Sequence, residues 1–256
     1  YCKMDNIVSP TGAEAEGWLI SVGGTPKEML SRSPEFTYRR LLHAAKIAEK
    51  LGAQIMGLGA FTKVVGDAGV TVARRARLPI TTGNSYSASG ALWAASDAMR
   101  RMGLVTIDPK TGKVAAKTMV IGAAGAIGSV SSRLLAMSFD EVYLAGLTLD
   151  KLDQLKASIL KDTPDANVFT TTSFDDLLGD MDMIVTATSG AGKSVLDITK
   201  VKPGCVITDV ARPLDLPASE VAKRPDVLVI ESGEIELPTK VHGMKNIGLP
   251  NNVIYA

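Results

Sequence analysis

From Thr118 onward, short apolar runs alternate with stretches of helical period. Runs at 119–121, 141–145, 167–170, 182–186, 205–210 and 227–231 are strand-sized and rich in β-branched residues. Segments 129–137 and 150–160 between them carry apolar residues at helical spacing. Runs that are apolar throughout, rather than alternating, suit parallel strands covered on both faces. Six strands in this arrangement predict a doubly wound α/β sheet of the Rossmann type.

Upstream the pattern is sparser. Residues 1–17 read as a polar lead-in with Pro10 and Gly12 as turn residues, and 18–22 as a strand stopped by Gly23 and Gly24. Ser33-Pro34 is a helix start, and Leu41, Leu42, Ala45 and Ala48 carry that helix to Leu51. Segments 54–58 and 78–82 read as short strands. Segment 85–102 reads as a helix whose Ala, Gly and Ser content predicts close packing on a neighbour. Residues 104–117 hold a proline, a glycine and several charges and read as a linker. The expected organisation is a smaller α/β lobe over 1–104 and a Rossmann domain over 105–256.

The turn after the first of the six strands, Gly122-Ala123-Ala124-Gly125-Ala126-Ile127-Gly128, leads into the helix that begins near Ser129. A strand, a glycine turn and a helix in that order present free backbone N–H groups and a helix dipole, which suit a pyrophosphate. Gly122 permits the tight turn, Gly125 lets backbone approach phosphate, and Gly128 lets the helix pack on the strand. The G-x-x-G-x-x-G spacing is a variant of the commoner dinucleotide fingerprint, and its strand–helix context favours that reading.

The form of dinucleotide depends on the end of the second strand, where an NAD-preferring site places a carboxylate. Here Ala145-Gly146-Leu147-Thr148 intervenes, and the first carboxylate is Asp150. Thr148 and Lys151 are the candidates to meet a 2′-phosphate, which favours NADP(H) while leaving NAD(H) open; alternatively Lys151 is a solvated helix-start residue. The later strands end in Thr186-Ala187-Thr188-Ser189, in Val210 and Arg212 of the DVARP run, and in Ser232-Gly233. Each is also an ordinary strand-end turn. Convergence on one sheet edge is what favours a site.

With 28 basic and 27 acidic residues and no basic block, the 256-residue chain gives no sign of a nucleic-acid partner. Its longest apolar runs are strand-sized, so no transmembrane segment is expected. Two distant cysteines fit a reducing cytosol, and two histidines with no Cys/His cluster give no metal site. The chain begins at Tyr1 rather than Met and ends in the apolar run Val253-Ile254-Tyr255-Ala256, so further residues are expected on either side.

Several features imitate chemistry. Gly190-Ala191-Gly192-Lys193-Ser194 resembles the tail of a P-loop, but Ala187 stands where that motif needs glycine. His43 lies mid-helix and His242 in a loop, each reading first as structural. Cys205 opens an apolar run, where a free cysteine behaves as a small hydrophobe.

The runs GLGAFTK (57–63), TTGNSYSA (81–88), VIGAAGAIGS (120–129) and DVARP (209–213) together resemble the long-chain acyl-acyl-carrier-protein reductases of cyanobacteria. They also resemble bacterial relatives described as amino-acid dehydrogenases. The first two runs are more specific than the glycine turn. The resemblance covers most of the chain. It implies a substrate-side α/β lobe, a Rossmann domain and a C-terminal helical part, with NADPH reducing a fatty acyl thioester to an aldehyde through an acyl group held on cysteine.

Thr82, Asn84 and Tyr86 are then candidates for the wall facing the nicotinamide, as oxyanion donors, although Asn84 also suits a helix cap. The chain departs from the family at Leu147, where the photosynthetic reductases carry arginine. It also has no cysteine beyond Cys205, whereas the family's nucleophile follows the sixth strand. The match runs out at 252–256, so the expectation is a truncated form that binds cofactor without forming the acyl intermediate. The competing expectations are a dehydrogenase of a small amino or hydroxy acid, with Lys63 and Asp67 as its polar pair, and a non-catalytic nucleotide-binding module. Acyl chain length, carrier (protein or coenzyme A) and oligomeric state are not legible.

Overall fold

The computed structural model describes residues 1–59, 66–67, 69–189, 193–246 and 248–255, with Pro26 and Tyr255 as backbone. It divides into two compact units, one formed by Tyr1–Gly83 with Glu234–Ala256 and the other by Asn84–Gly233.

The first unit opens with β1 (Cys2–Val8) and β2 (Glu14–Leu19), paired antiparallel, where the sequence suggested a polar lead-in and a later strand. The pairing shifts register between Met4 and Ile7, and Asn6 adopts φ 62°. That irregularity breaks the two-residue alternation by which a strand is recognised. The helix α1 (Pro26–Ser31) follows, capped by the Thr25 hydroxyl, and then α2 (Pro34–Lys50), with Ser33 and Pro34 placed as expected.

Next come β3 (Met56–Gly57), α3 (Val70–Arg75) and β4 (Ile80–Thr81). The two short strands pair in parallel, setting Gly57 beside Thr81. A small cluster of Tyr38, Leu41, Leu58 and Val72 forms the core of this unit.

The second unit opens with α4 (Asn84–Arg101), whose Ala88, Ala91 and Ala95 are fully buried. The rest of the unit runs β5 (Val114–Ile121), α5 (Ala126–Ser138), β6 (Phe139–Ala145), α6 (Leu149–Asp162) and β7 (Asn167–Thr171). It continues through β8 (Met183–Thr186), β9 (Val206–Asp209), α7 (Ala218–Val221) and β10 (Leu228–Glu231). These six strands form one parallel sheet in the order β10-β9-β8-β5-β6-β7. Numbered from β5, that order is 3-2-1-4-5-6 reversed, the doubly wound Rossmann arrangement.

Successive residues of β5 supply the two faces. Val120 joins Leu135, Leu152 and Met99 under α4, α5 and α6, while Met119 and Ile121 join Ile184, Ile207, Leu178 and Ile198 on the other face. Short 3-10 turns at Asp175–Asp180 and Ile198–Lys200 cover that second face.

Two boundaries differ from expectation. Helix α4 shares the apolar cluster of β5 and α5, so it belongs to the second unit and the division falls at Gly83 rather than after residue 104. The 104–117 stretch is a turn closed by an Ile107–Val114 bridge that runs straight into β5.

The final segment returns to the first unit. It forms β11 (Glu234–Glu236) and β12 (Val253–Tyr255), paired antiparallel, so three residues of the apolar run at 253–256 lie in a strand. Asn6 Nδ2 donates to the Lys240 carbonyl at 2.8 Å, and Asp5 and His242 exchange backbone hydrogen bonds of 3.2 and 3.0 Å.

Candidate functional site

The parallel registers align Thr171, Ala145, Ile121, Thr186, Asp209 and Glu231 across the sheet. All six strands therefore end on one edge. The direction of winding reverses between β5 and β8, and at such a reversal the connecting segments part and leave a crevice.

The glycine turn lies at this reversal. Gly122 has φ 84°, and a Cβ there would lie 2.7 Å from the Ala187 carbonyl oxygen. At Gly128 a Cβ would lie 2.2 Å from the Gly122 oxygen, so only glycine lets α5 sit this close to β5. Gly125 has an ordinary extended backbone (φ −74°) and donates from its N–H to the Gly122 carbonyl at 2.9 Å.

Ala124, Gly125 and Ala126 are exposed, Ile127 is half-buried, and Ala123 and Gly128 are buried. No side chain caps α5 and no acidic residue occupies its first turn. Its first-turn amides therefore have no side-chain acceptor and sit at an uncompensated positive helix end, an arrangement that suits an anion. The cradle fits a dinucleotide pyrophosphate.

Thr148 occupies the N-cap position of α6 without capping it, and Lys151 one turn later is exposed. Leu147 beside them is fully exposed. On the other side of β5, Ala187 N–H donates to the Ile121 carbonyl at 2.9 Å. Buried Asp215 holds Thr188, accepting from its N–H at 2.9 Å and its hydroxyl at 2.5 Å. Ser189 is exposed, whereas Thr186 is buried.

Asp209, at the end of β9, accepts from the Ala211 and Leu216 amides at 3.0 and 2.9 Å and so shapes the loop that carries Arg212. Burial holds the Asp209 carboxyl above the usual carboxylate range, against the pull of those two amides. Exposed Arg212 donates to the Ala211 carbonyl at 2.8 Å and to the Ser232 carbonyl, and Val210 N–H donates to the Thr186 carbonyl at 2.9 Å. Gly233, at φ 112°, lies where a Cβ would be 3.6 Å from an Arg212 Nη. The structure thus brings the predicted residues of β5, β8, β9 and β10 to one edge. It adds Asp215, whose partnership with Thr188 no local pattern in the sequence announces.

Thr82 and Asn84 are half-buried, Thr82 in the first unit and Asn84 as the first residue of α4. The cap position of α4 accordingly falls on Gly83 rather than Asn84. Tyr86 is exposed and meets Trp93 edge-on, ring centres 6.4 Å apart. Two of the segments that carried the family resemblance come together: Gly57 pairs with Thr81, and Leu58 N–H donates to the Thr81 carbonyl at 2.8 Å.

Asp67 accepts from Thr71 N–H at 2.9 Å, from the Thr71 hydroxyl at 2.5 Å and from the Tyr38 hydroxyl at 3.2 Å. Those bonds, Thr71 foremost, hold its carboxyl below the usual carboxylate range. Asp67 thus anchors α3. Lys63, Ala60 to Thr62 and Gly190 to Gly192 lie outside the described residues.

Cys205 is 1% exposed and immediately precedes β9, at the far end of that strand from Asp209. Strand geometry puts about 13 Å between them. Burial pushes its thiol up to about 12, with the Asp182 carboxylate adding to the rise. Among the described residues no group of three or more His, Cys, Asp and Glu could hold a metal ion, and no helix is long and apolar enough to cross a membrane.

No family model matches the chain. It is 31% identical over 233 residues to the aminotransferase PigE of Serratia sp. (strain ATCC 39006), covering 91% of this chain and 26% of that protein. It is 27% identical over 239 residues to the long-chain acyl-[acyl-carrier-protein] reductase of Synechococcus elongatus, covering 90% of this chain and 65% of that protein. The chain thus spans about a quarter of the first relative and just under two thirds of the second. Among solved structures, shikimate 5-dehydrogenase of Listeria monocytogenes aligns at a TM-score of 0.45 and 12% identity, over 75% of this chain and 72% of that one.

Proposed function

We propose that the second unit binds a nicotinamide dinucleotide and that the chain belongs to an oxidoreductase acting on fatty acyl thioesters, carried by acyl carrier protein or coenzyme A. One observation carries the first half: Gly122 and Gly128 leave no room for a Cβ, and the helix they admit begins, uncapped by any side chain, beside exposed Ala124, Gly125 and Ala126 at the sheet reversal. The cofactor supplies hydride. Gly122 to Gly128 would hold the pyrophosphate, Thr148 and Lys151 the ribose end, and Thr186 to Ser189, Val210, Arg212, Ser232 and Gly233 would line the remaining edge. With no carboxylate directly after β6, Lys151 favours NADPH over NADH.

The acyl-thioester half rests on the GLGAFTK and TTGNSYSA runs and on the likeness to the Synechococcus reductase. Thr82, Asn84 and Tyr86 are the proposed donors to the thioester carbonyl oxygen, which gains negative charge as hydride adds to carbon. A covalent acyl step needs a thiolate. Cys205 does not supply it, because its burial disfavours the charged form and it lies at the wrong end of β9. These 256 residues are therefore expected to bind cofactor without retaining acyl mass at Cys205 when incubated with an acyl thioester. A dehydrogenase of a small amino or hydroxy acid is the second reading; of its polar pair, Asp67 is exposed and accepts from Thr71 and Tyr38.

Calorimetric titration with NADPH tests the core of this reading. Gly125→Val places a branched side chain at the glycine turn, where a Cβ would lie 3.2 Å from the Gly122 oxygen, a tight contact, so a melting curve accompanies the titration: binding is lost while the variant stays folded. Equal affinity for wild type and variant refutes the phosphate assignment.

A further inference from the structure

In the first unit, residues 20–22 and one side of α2 enclose a groove of about 360 Å³. That volume is near the lower end of the range of small-molecule sites, about 300–1,000 Å³. Ile20, Val22, Phe36 and Ile47 supply apolar walls, and Arg39, Arg40 and His43 bring donors to them.

Arg40 is held in place before any ligand arrives. Its guanidinium lies over the Phe36 ring at 4.3 Å, and Nη1 donates to the Gly23 carbonyl at 2.7 Å and the Val22 carbonyl at 3.4 Å. Its Nε and Nη2 have no partner among the described residues, and neither do the side chains of Arg39 and His43. Nearby carboxylates are already engaged, Glu28 by Arg32 at 3.1 Å and Glu35 by Arg75 at 2.8 Å. The groove therefore joins apolar walls to a fixed, partly unspent guanidinium and a surplus of positive charge. A pre-oriented fork of this kind loses little freedom on binding a planar anion.

We propose that this groove binds a small amphiphilic carboxylate, its aliphatic body against Ile20, Val22, Phe36 and Ile47 and its carboxylate on the spare donors of Arg40, with Arg39 and His43 alongside. This site involves no residue of the glycine turn, so it stands or falls separately from the cofactor proposal.

The chain has only two histidines, so the His43 imidazole signal is assignable by magnetic resonance with His43→Gln as reference. Titration with sodium octanoate should shift that signal saturably, leaving His242 unmoved. Octanol and inorganic phosphate, each lacking one half of the ligand, should bind about tenfold more weakly. Arg39→Gln, an exposed change, should weaken octanoate by about tenfold with an unchanged melting temperature, and Arg40→Lys, which keeps charge and stem but loses the fork and its bonds to the Gly23 and Val22 carbonyls, should weaken it by about tenfold with a small drop in melting temperature. An unmoved His43, octanol binding as tightly as octanoate, or full affinity in both arginine variants overturns the proposal. A response to phosphatidylglycerol vesicles without one to octanoate also overturns it and makes the groove a membrane contact.

Discussion

The two units are built from the same elements and hold together by different means. In the second, the inner strands of a six-stranded parallel sheet are buried on both faces by two apolar clusters, and Val120, Val142, Leu144, Val185 and Ile207 have no exposed surface. In the first, the apolar cluster among the described residues is Tyr38, Leu41, Leu58 and Val72, the strands come in pairs, and polar contacts such as Asp67 with Thr71 and Tyr38 join its elements. Apolar burial is non-directional and cumulative, whereas polar anchors act one at a time and yield one at a time. The second unit is thus a platform held by cumulative burial with a site at its edge, and the first relies more on single polar anchors.

Core truncation should break this symmetry most. Leu144→Ala leaves a cavity in a layer that cannot collapse and should cost about 4 kcal/mol, whereas Leu58→Ala in the smaller cluster should cost about 2 kcal/mol. Peptide-resolved hydrogen exchange reads the two units separately; equal losses contradict the contrast.

Glycine replacement comes next. Gly128→Ala drives a Cβ to 2.2 Å from backbone oxygen and should cost about 3 kcal/mol and nucleotide affinity together. Gly12→Ala meets nothing within 4 Å and pays only for its left-handed backbone, about 1 kcal/mol. Denaturant melts of the two variants make the comparison.

The platform's own edge offers a finer test. If Lys151 meets a 2′-phosphate, Lys151→Gln should erase an NADPH preference of about tenfold, near 1 kcal/mol, and added salt should shrink that preference in wild type. Tighter binding of NADH would assign Thr148 to the ribose hydroxyls instead.

The smallest effect is a pair of opposite pH responses. Asp209 has a raised pKa in the folded state, so between the ordinary value of 3.8 and the raised one the folded state binds more protons, and the second unit loses stability as pH rises through that window. Asp67 has a lowered pKa, so its contribution to the first unit is present above 3.8 and is lost as pH falls through the lowered value. Segment-resolved exchange across acidic pH should show slopes of opposite sign that vanish in Asp209→Asn and Asp67→Asn respectively.

What could be read in the sequence follows the same division. Strands such as 182–186 and 205–210 announce themselves because burial on both faces gives them runs of consecutive apolar residues, and the glycine turn because steric exclusion leaves no other residue at Gly122 and Gly128. The hairpin of β1 and β2 was hidden by the irregularity at Asn6. The pairing of β11 with β12 was hidden because its two short strands are separated by an irregular segment. Helix α4 was legible as a close-packed helix, but nothing local says which unit receives it. Asp215 escaped because its partner lies 27 residues away, a distance at which only the fold makes neighbours.

The return of the last segment to Asn6, Val8 and Asp5 makes the second unit an insertion within the first. Synthesis proceeds from the N-terminus, so the first hairpin emerges long before the residues that complete its unit exist. The second unit is contiguous and whole once Gly233 is free. It can close while the first waits, so the inserted segment is free to settle before the two segments that flank it find each other.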